Sequence, residues 1–155
     1  MKLTASRQSL LDALLVVSRA VSARAALQAL SGILISTEQE TPRLRATDLE
    51  LGLDVGVDGK SEAAGSVVLP GRLLVEVARS LPEGSVTLEY RQSERDIELT
   101  AGSSSFHLRT LPADDFPAAP AAEGDPLELP ADALQATVAR VARAASRDEA
   151  RPVLT

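Results

Sequence analysis

The 155-residue sequence contains no cysteine and no tryptophan, and it has a single histidine, His107. Without cysteine, a disulfide scaffold, a thiolate zinc site and a cysteine nucleophile are all excluded. One histidine cannot form a multi-histidine metal centre. Because aromatic residues make up only 2% of the chain, we expect a core of leucine, valine, isoleucine and alanine.

Long apolar runs are also missing. The stretch from Leu10 to Val17 is too short to span a bilayer, and Asp12 interrupts it. The first residues lack the apolar run of a signal peptide. We therefore expect a cytoplasmic protein that has no membrane partner.

Signals for catalysis are weak. The adjacent acids Asp114-Asp115 and Asp148-Glu149 fall in predicted turns or helix ends, where acidic residues commonly cap. His107 lies in a predicted strand with no second histidine or cysteine to join it. No glycine-rich loop follows a strand and opens a helix, as a phosphate-binding loop requires. We expect no enzymatic activity, no cofactor, no metal and no small-molecule substrate.

Hydrophobic periodicity predicts an α+β fold. The predicted strands are 2–5, 30–36, 42–47, 49–57, 66–69, 85–90, 96–101 and 103–109, the predicted helices are 7–21 and 72–81, and residues 58–65 are a predicted polar loop. The order is β-α-β-β-β followed by a second β-α-β-β-β. The helix faces expected to be buried are Leu10, Leu14, Val17 and Val21, and Leu73, Leu74 and Val77.

A longer repeat appears when the chain is shifted by 124 residues. Leu3, Leu10, Val17, Arg19, Ala20, Ser22, Ala26 and Leu30 then meet identical residues. We predict a first domain over 1–117, a proline-rich and alanine-rich linker over 118–125, and the start of a second domain over 126–155, which consists of a leading strand, a helix and the start of a following strand. Thirty residues cannot complete a domain of about 120, so we expect the chain to be part of a longer protein.

Positive charge collects on the predicted helices although the net charge is −6. Arg140, Arg143 and Arg147 fall opposite the apolar face Leu134, Val138, Val141 and Ala145 of a third predicted helix. Arg7 and Arg19 belong to the first helix, and Arg24 follows it. Acidic residues instead concentrate over 37–62. This pattern favours helices that face a polyanion and sheets that face away from it.

Five segments carry a resemblance to a known family. They are Met1-Lys2-Leu3-Thr4, Thr47-Asp48-Leu49-Glu50, Leu81-Pro82-Glu83-Gly84, and residues 106–117 and 146–155. In this order and spacing the chain resembles the N-terminal part of the bacterial DNA sliding clamps, the beta subunits of DNA polymerase III.

The resemblance implies three similar domains per subunit, each a doubled β-α-β-β-β unit with two helices on one side of antiparallel sheets. It also implies a head-to-tail homodimeric ring around double-stranded DNA, with the helices lining the hole. Such a ring is a processivity factor that tethers the polymerase topologically and catalyses nothing. The implied partners are duplex DNA, the DNA polymerase III core and the clamp loader.

The resemblance also implies roles for particular residues. Arg24 is the best single DNA contact, and Arg7, Arg19, Arg140, Arg143 and Arg147 join it. Phe106 and Leu108 match the apolar part of the ring interface. Arg151 and Leu154 match the rim of the partner-peptide pocket. Pro152 and Val153 stand where some relatives have two aromatics, so no stacking on single-stranded DNA is expected there.

One alternative from another class stays open. The chain could be a stand-alone interaction module that keeps the clamp fold without forming a ring, whereas an enzyme is a distant third. The sequence beyond Thr155 separates the two hypotheses, because a clamp needs roughly two hundred more residues to complete three domains of ordinary size.

Overall fold

The computed structural model describes residues 1–22, 27–118, 124–146, 150 and 153. The strands are β1 (Lys2–Ser6), β2 (Gly32–Ser36), β3 (Arg43–Thr47), β4 (Gly52–Gly56), β5 (Gly59–Ala63), β6 (Ser66–Pro70), β7 (Ser85–Arg91), β8 (Asp96–Ala101) and β9 (Ser104–Arg109). The α-helices are α1 (Arg7–Val17), α2 (Gly71–Ser80) and α3 (Ala131–Val141), and short 3-10 helices span Ser18–Ala20, Gln28–Ser31 and Ala142–Ala144. The chain divides into two compact units, Met1–Ala119 and Pro120–Thr155.

The first unit contains two sheets in which every strand pairing is antiparallel. Their orders are β5-β1-β7-β8-β9 and β4-β3-β2-β6. The leading strand of each half joins the sheet of the other half, since β1 pairs with β7 and β6 pairs with β2. The predicted fold class and doubled unit are confirmed, with β5 as an additional strand.

Helix α1 begins where the sequence predicts. The Ser6 hydroxyl accepts a hydrogen bond from the backbone N–H of Ser9 at 3.0 Å, which satisfies one of the free donors of the first turn. Leu10, Leu14 and Val17 are fully buried. The α-helix ends at Val17 and a 3-10 turn continues to Ala20, so the helix is shorter than predicted. Val21, which was predicted on the buried helix face, follows this turn and is half-buried.

Helix α2 presents a different face to the core from the one predicted. Leu74, Val75 and Ala78 are buried, whereas Leu73 is 46% exposed and Val77 is half-buried. The reason lies at Gly71, where a Cβ would come within 2.9 Å of a Val21 methyl. This close approach fixes the buried stripe at Gly71 and the positions three, four and seven residues later. The two helices pack against each other, so they lie on one side of the domain as predicted.

The predicted polar loop over 58–65 is wrong, because Gly59–Ala63 forms strand β5 against β1. Strand β5 is an edge strand of the five-stranded sheet, and it carries charged side chains. Glu62 accepts a hydrogen bond from the Thr4 hydroxyl at 2.6 Å and lies 3.4 Å from the Lys2 ammonium. Polar and charged residues are typical of edge strands, which must not attract further strands, and this composition resembles that of a loop.

The core of the first unit is aliphatic, as the composition predicts. It joins both helices to both sheets, and its fully buried large residues are Leu3, Leu10, Leu14, Ile33, Ile35, Leu44, Leu69, Leu74, Leu88, Ile97, Leu99 and Leu108. Gly102 adopts a φ of 57° in the turn between β8 and β9, a conformation that glycine reaches without strain.

The second unit contains helix α3, which the repeat predicts. A leading strand was also predicted there, but residues 124–130 form none. Leu127 is 82% exposed, and no residue of α3 is buried. Among the described residues, no helix combines the length and apolar content needed to cross a membrane.

The β1–β5 pairing predicts a sharp response at Gly59. A Cβ there would lie 2.7 Å from the Thr4 carbonyl oxygen and 2.8 Å from the Ala5 Cβ. Because backbone cannot yield as a flexible side chain does, we expect Gly59→Ala to lower the free energy of unfolding by about 1–3 kcal/mol. Urea denaturation measures this change.

Gly52→Ala is the matched control. A Cβ at Gly52 meets nothing closer than the Thr47 hydroxyl at 4.0 Å, so its unfolding free energy should change by no more than about 0.5 kcal/mol. Equal effects of the two substitutions would show that the β5 pairing is not tight.

Candidate nucleic-acid interface

The candidate site of the first unit lies on the face of the helix layer that points away from the core. A groove of about 280 Å³ runs between the 3-10 turn that follows α1 and the exposed side of α2. Its lining residues are Ser18, Val21, Arg72, Val75, Glu76 and Arg79. Val75 is buried and Val21 half-buried, so the floor is apolar and the rim on α2 is charged.

Arg72 and Arg79 were not singled out from the sequence. Both are exposed, and they lie seven residues apart on one stripe of α2 with Glu76 between them. Neither forms an ion pair within 4 Å with any acidic side chain in the described ranges. The spacing of three and four residues opposite the buried stripe could have identified them.

The arginines predicted on and after α1 differ in their surroundings. Arg19 is exposed in the 3-10 turn. Arg24, the expected main DNA contact, lies outside the described residues. The same applies to Arg147, Arg151 and Leu154.

Arg7 is engaged within the domain. Its guanidinium donates to Glu83 Oε1 at 2.8 Å and to the Arg79 carbonyl oxygen at 3.0 Å, and its backbone N–H donates to the Gly84 carbonyl at 2.8 Å. The side chain is only 17% exposed. A cation is favourable beside the carbonyls that end a helix. Arg7 therefore ties the start of α1 to the end of α2, and this geometry favours a structural role over the predicted DNA contact.

The second unit places its arginines on an exposed helix. Arg140 lies in α3 and Arg143 in the 3-10 turn after it, and both are exposed. The apolar face opposite them is exposed as well: Leu134, Val138 and Val141 are 49%, 51% and 61% accessible.

The residues expected at a ring interface lie on β9, an edge strand of the five-stranded sheet. Phe106 is half-buried and packs against the core, while Leu108 is only 2% exposed. His107 points to the opposite face of the strand and is exposed. Of the two apolar residues, Phe106 thus has the larger free surface.

A charged cluster lies across β7, β8 and β9 on the His107 face. Arg91 donates two hydrogen bonds to the Asp96 carboxylate, at 2.9 and 2.7 Å, and His107 Nδ1 lies 3.5 Å from the same group. Hydrogen bonding from Arg91 holds the pKa of Asp96 below its usual value, and the same contact raises the pKa of Arg91. In the described parts of the chain, no group of three acidic or histidine side chains converges as a metal site.

Two antiparallel sheets from a doubled β-α-β-β-β unit, with paired helices on one side, define a DNA-clamp domain. The family model described as "DNA polymerase III beta subunit, N-terminal domain" matches residues 1–120. The chain therefore belongs to the DNA polymerase III beta subunit family.

Similarity to known proteins extends over the whole chain. It is 36% identical over 155 residues to the Micrococcus luteus "Beta sliding clamp", covering 100% of this chain and 49% of that protein. The DNA polymerase sliding clamp structure from Bacillus subtilis superposes with a TM-score of 0.91 at 27% identity, covering 100% of this chain and 43% of that one. The Caulobacter crescentus pol III beta structure gives 0.86 at 32% identity, covering 99% and 42%. The chain thus spans about half the length of the curated relative and less than half the length of each of the two solved structures.

Arg7→Ala tests the tie between the two helices. Losing two charge-assisted hydrogen bonds from a mostly buried guanidinium should lower the unfolding free energy by about 1–3 kcal/mol. Arg19→Ala removes an exposed arginine and should change it by no more than about 0.5 kcal/mol. Urea denaturation compares them, and equal effects would contradict the structural role of Arg7.

The lowered pKa of Asp96 predicts an acid-dependent stability. Its pKa in the folded state lies below the unfolded value of 3.8, so the charged carboxylate stabilises the fold above that pH. This contribution is lost as the pH falls through the folded pKa.

We expect wild type to exceed Asp96→Asn in unfolding free energy near neutral pH, and the difference to shrink below about pH 5. Urea denaturation at a series of pH values measures it. A difference that stays constant into strong acid would show that the Asp96 charge is not its source.

Proposed function

We propose that the protein acts as a sliding clamp, a non-catalytic processivity factor whose helix layer faces duplex DNA. The observation that carries this proposal is the row of exposed arginines on that layer. Arg19, Arg72 and Arg79 have no ion-pair partner among the described residues, in a chain whose net charge is −6. Cations left free on one face of an acidic protein suit a polyanion.

Several cations on the sheets differ from those on the helix layer because they are paired with acids. On the four-stranded sheet, Arg43 and Arg45 both bind the Asp54 carboxylate, so both are ion-paired and the acid neutralises one of their two charges. On β1, Lys2 lies between Glu62 and Glu89, at 3.4 Å from each. These three sheet cations are paired with acids, whereas Arg19, Arg72 and Arg79 on the helix layer are not, and this difference supports a ring with its helices inside. Two other sheet cations, Lys60 on β5 and Arg109 on β9, have no ion pair among the described residues.

A small number of phosphate contacts is consistent with sliding. Each neutralised phosphate steepens the dependence of log K on log salt concentration by about 0.9. A protein that encircles DNA is retained by topology, so its few arginines need only support weak, exchanging contacts. As the family resemblance implies, we also assign DNA contacts to Arg24, Arg140, Arg143 and Arg147.

Assembly into a head-to-tail homodimer would use the β9 edge, with Phe106 and the rim of Leu108 against a neighbouring domain. The DNA polymerase III core and the clamp loader would bind the assembled ring in the cytoplasm. Arg151 and Leu154 would begin the peptide pocket for these partners. No cofactor or small-molecule substrate enters the proposal.

A topological assay separates a clamp from an ordinary DNA-binding protein. The polypeptide that contains this chain is loaded by its clamp loader onto nicked circular DNA, washed with high salt, and the DNA is then linearised. We expect retention on the circle and release after linearisation, together with longer products from the cognate polymerase. Equal retention on linear and circular DNA, or unchanged product length, would favour the stand-alone module instead.

A further inference from the structure

The exposed stripe of α2 carries an acid between two bases. Arg72, Glu76 and Arg79 follow one another at steps of four and three residues, and all three line the groove beside the 3-10 turn. The two arginines are separated by about 10.5 Å along the helix axis, from a rise of about 1.5 Å per residue. Glu76 is placed between them, where it faces the same groove.

The fold gives no evident reason for an acid at this position. Glu76 is exposed, is the single acidic residue of α2, and forms no ion pair within 4 Å with any described side chain. Other acids nearby are engaged. Glu83 receives a hydrogen bond from Arg7, and Asp12 receives one from Gln8 at 2.8 Å. Replacing Glu76 should therefore leave stability almost unchanged.

A carboxylate in this place must act on any anion that approaches the stripe. Glu76 lies about 6 Å from Arg72 and about 4.5 Å from Arg79 along the helix axis, and both separations are shorter than the screening length of about 8 Å in physiological salt. It repels the phosphate and attracts the same guanidinium groups. The stripe thus has a net charge of one instead of two.

We propose that Glu76 limits how strongly α2 holds the DNA backbone. This inference rests on the proposed function, since it takes the sugar-phosphate backbone of duplex DNA as the anion. The arginines attract the backbone at each position along the DNA. Glu76 weakens this attraction, so that the arginine–phosphate contacts do not prevent the ring from sliding. The stripe therefore combines attraction with rapid release.

The test measures binding of the chain to a short fluorescein-labelled duplex by anisotropy at several salt concentrations. We expect Glu76→Gln to bind about two- to tenfold more tightly at about 50 mM salt and to steepen the salt dependence by up to about one unit. Arg72→Gln and Arg79→Gln should weaken binding. In the Arg79→Gln background the gain from Glu76→Gln should shrink, because the two residues act on the same phosphate.

Glu40→Gln is the matched control. It makes the same change of net charge at an exposed position in the loop between β2 and β3, and we expect unchanged binding. An equal gain from Glu40→Gln would overturn the proposal, because net charge alone would then explain the effect. Urea midpoints of both variants should equal that of wild type.

Failure of the inference and failure of the proposed function give different results. If both arginine variants weaken binding while Glu76→Gln equals wild type, the limiting role of Glu76 is wrong and the DNA contact stands. If neither wild type nor Glu76→Gln binds the duplex even at low salt, the inner-surface assignment of α2 fails, and the inference fails with it.

Discussion

The exchange of leading strands between the two halves is the constraint on which the rest of the domain depends. Strand β1, with β5 paired to its other side, joins the sheet of β7, β8 and β9, and β6 joins the sheet of β2, β3 and β4. Neither sheet is complete without a strand from the other half, so the halves form one cooperative core. Because α1 follows β1 and α2 follows β6, the same exchange brings the two helices together on one side.

The packing of the helices then determines which charges reach the outside. The close approach of Gly71 to Val21 sets the rotation of α2, and this rotation exposes Arg72, Glu76 and Arg79 together. Arg7 holds the end of the same helix by its carbonyl. A contact between apolar groups at one end and a hydrogen-bonded cation at the other thus orient the stripe that we assign to the DNA.

Sequence patterns predicted the features that arise from local periodicity. The helix start at Arg7, the buried residues Leu10, Leu14 and Val17 of α1, and the doubled unit were found in this way. The family was found from the five segments that resemble the sliding clamps. Strand β5 was missed because an edge strand rich in Lys, Ser and Glu has the composition of a loop, and only its pairing with β1 reveals it. Leu73 was misplaced because the rotation of α2 depends on the contact between Gly71 and Val21. Arg7 donates a hydrogen bond to Glu83, which is 76 residues away in the sequence. A local sequence pattern cannot predict such a contact.

The strand exchange also sets the order in which the chain can fold during synthesis. Thr4 on β1 bonds to Thr87 on β7, 83 residues later. The first strand therefore has no central-sheet partner until nearly the whole domain has emerged from the ribosome, although folding of nascent chains usually proceeds from the N-terminus. Until then the apolar sides of β1 and α1 remain without their full cover. Any delay in the synthesis of β7 would prolong this exposed state.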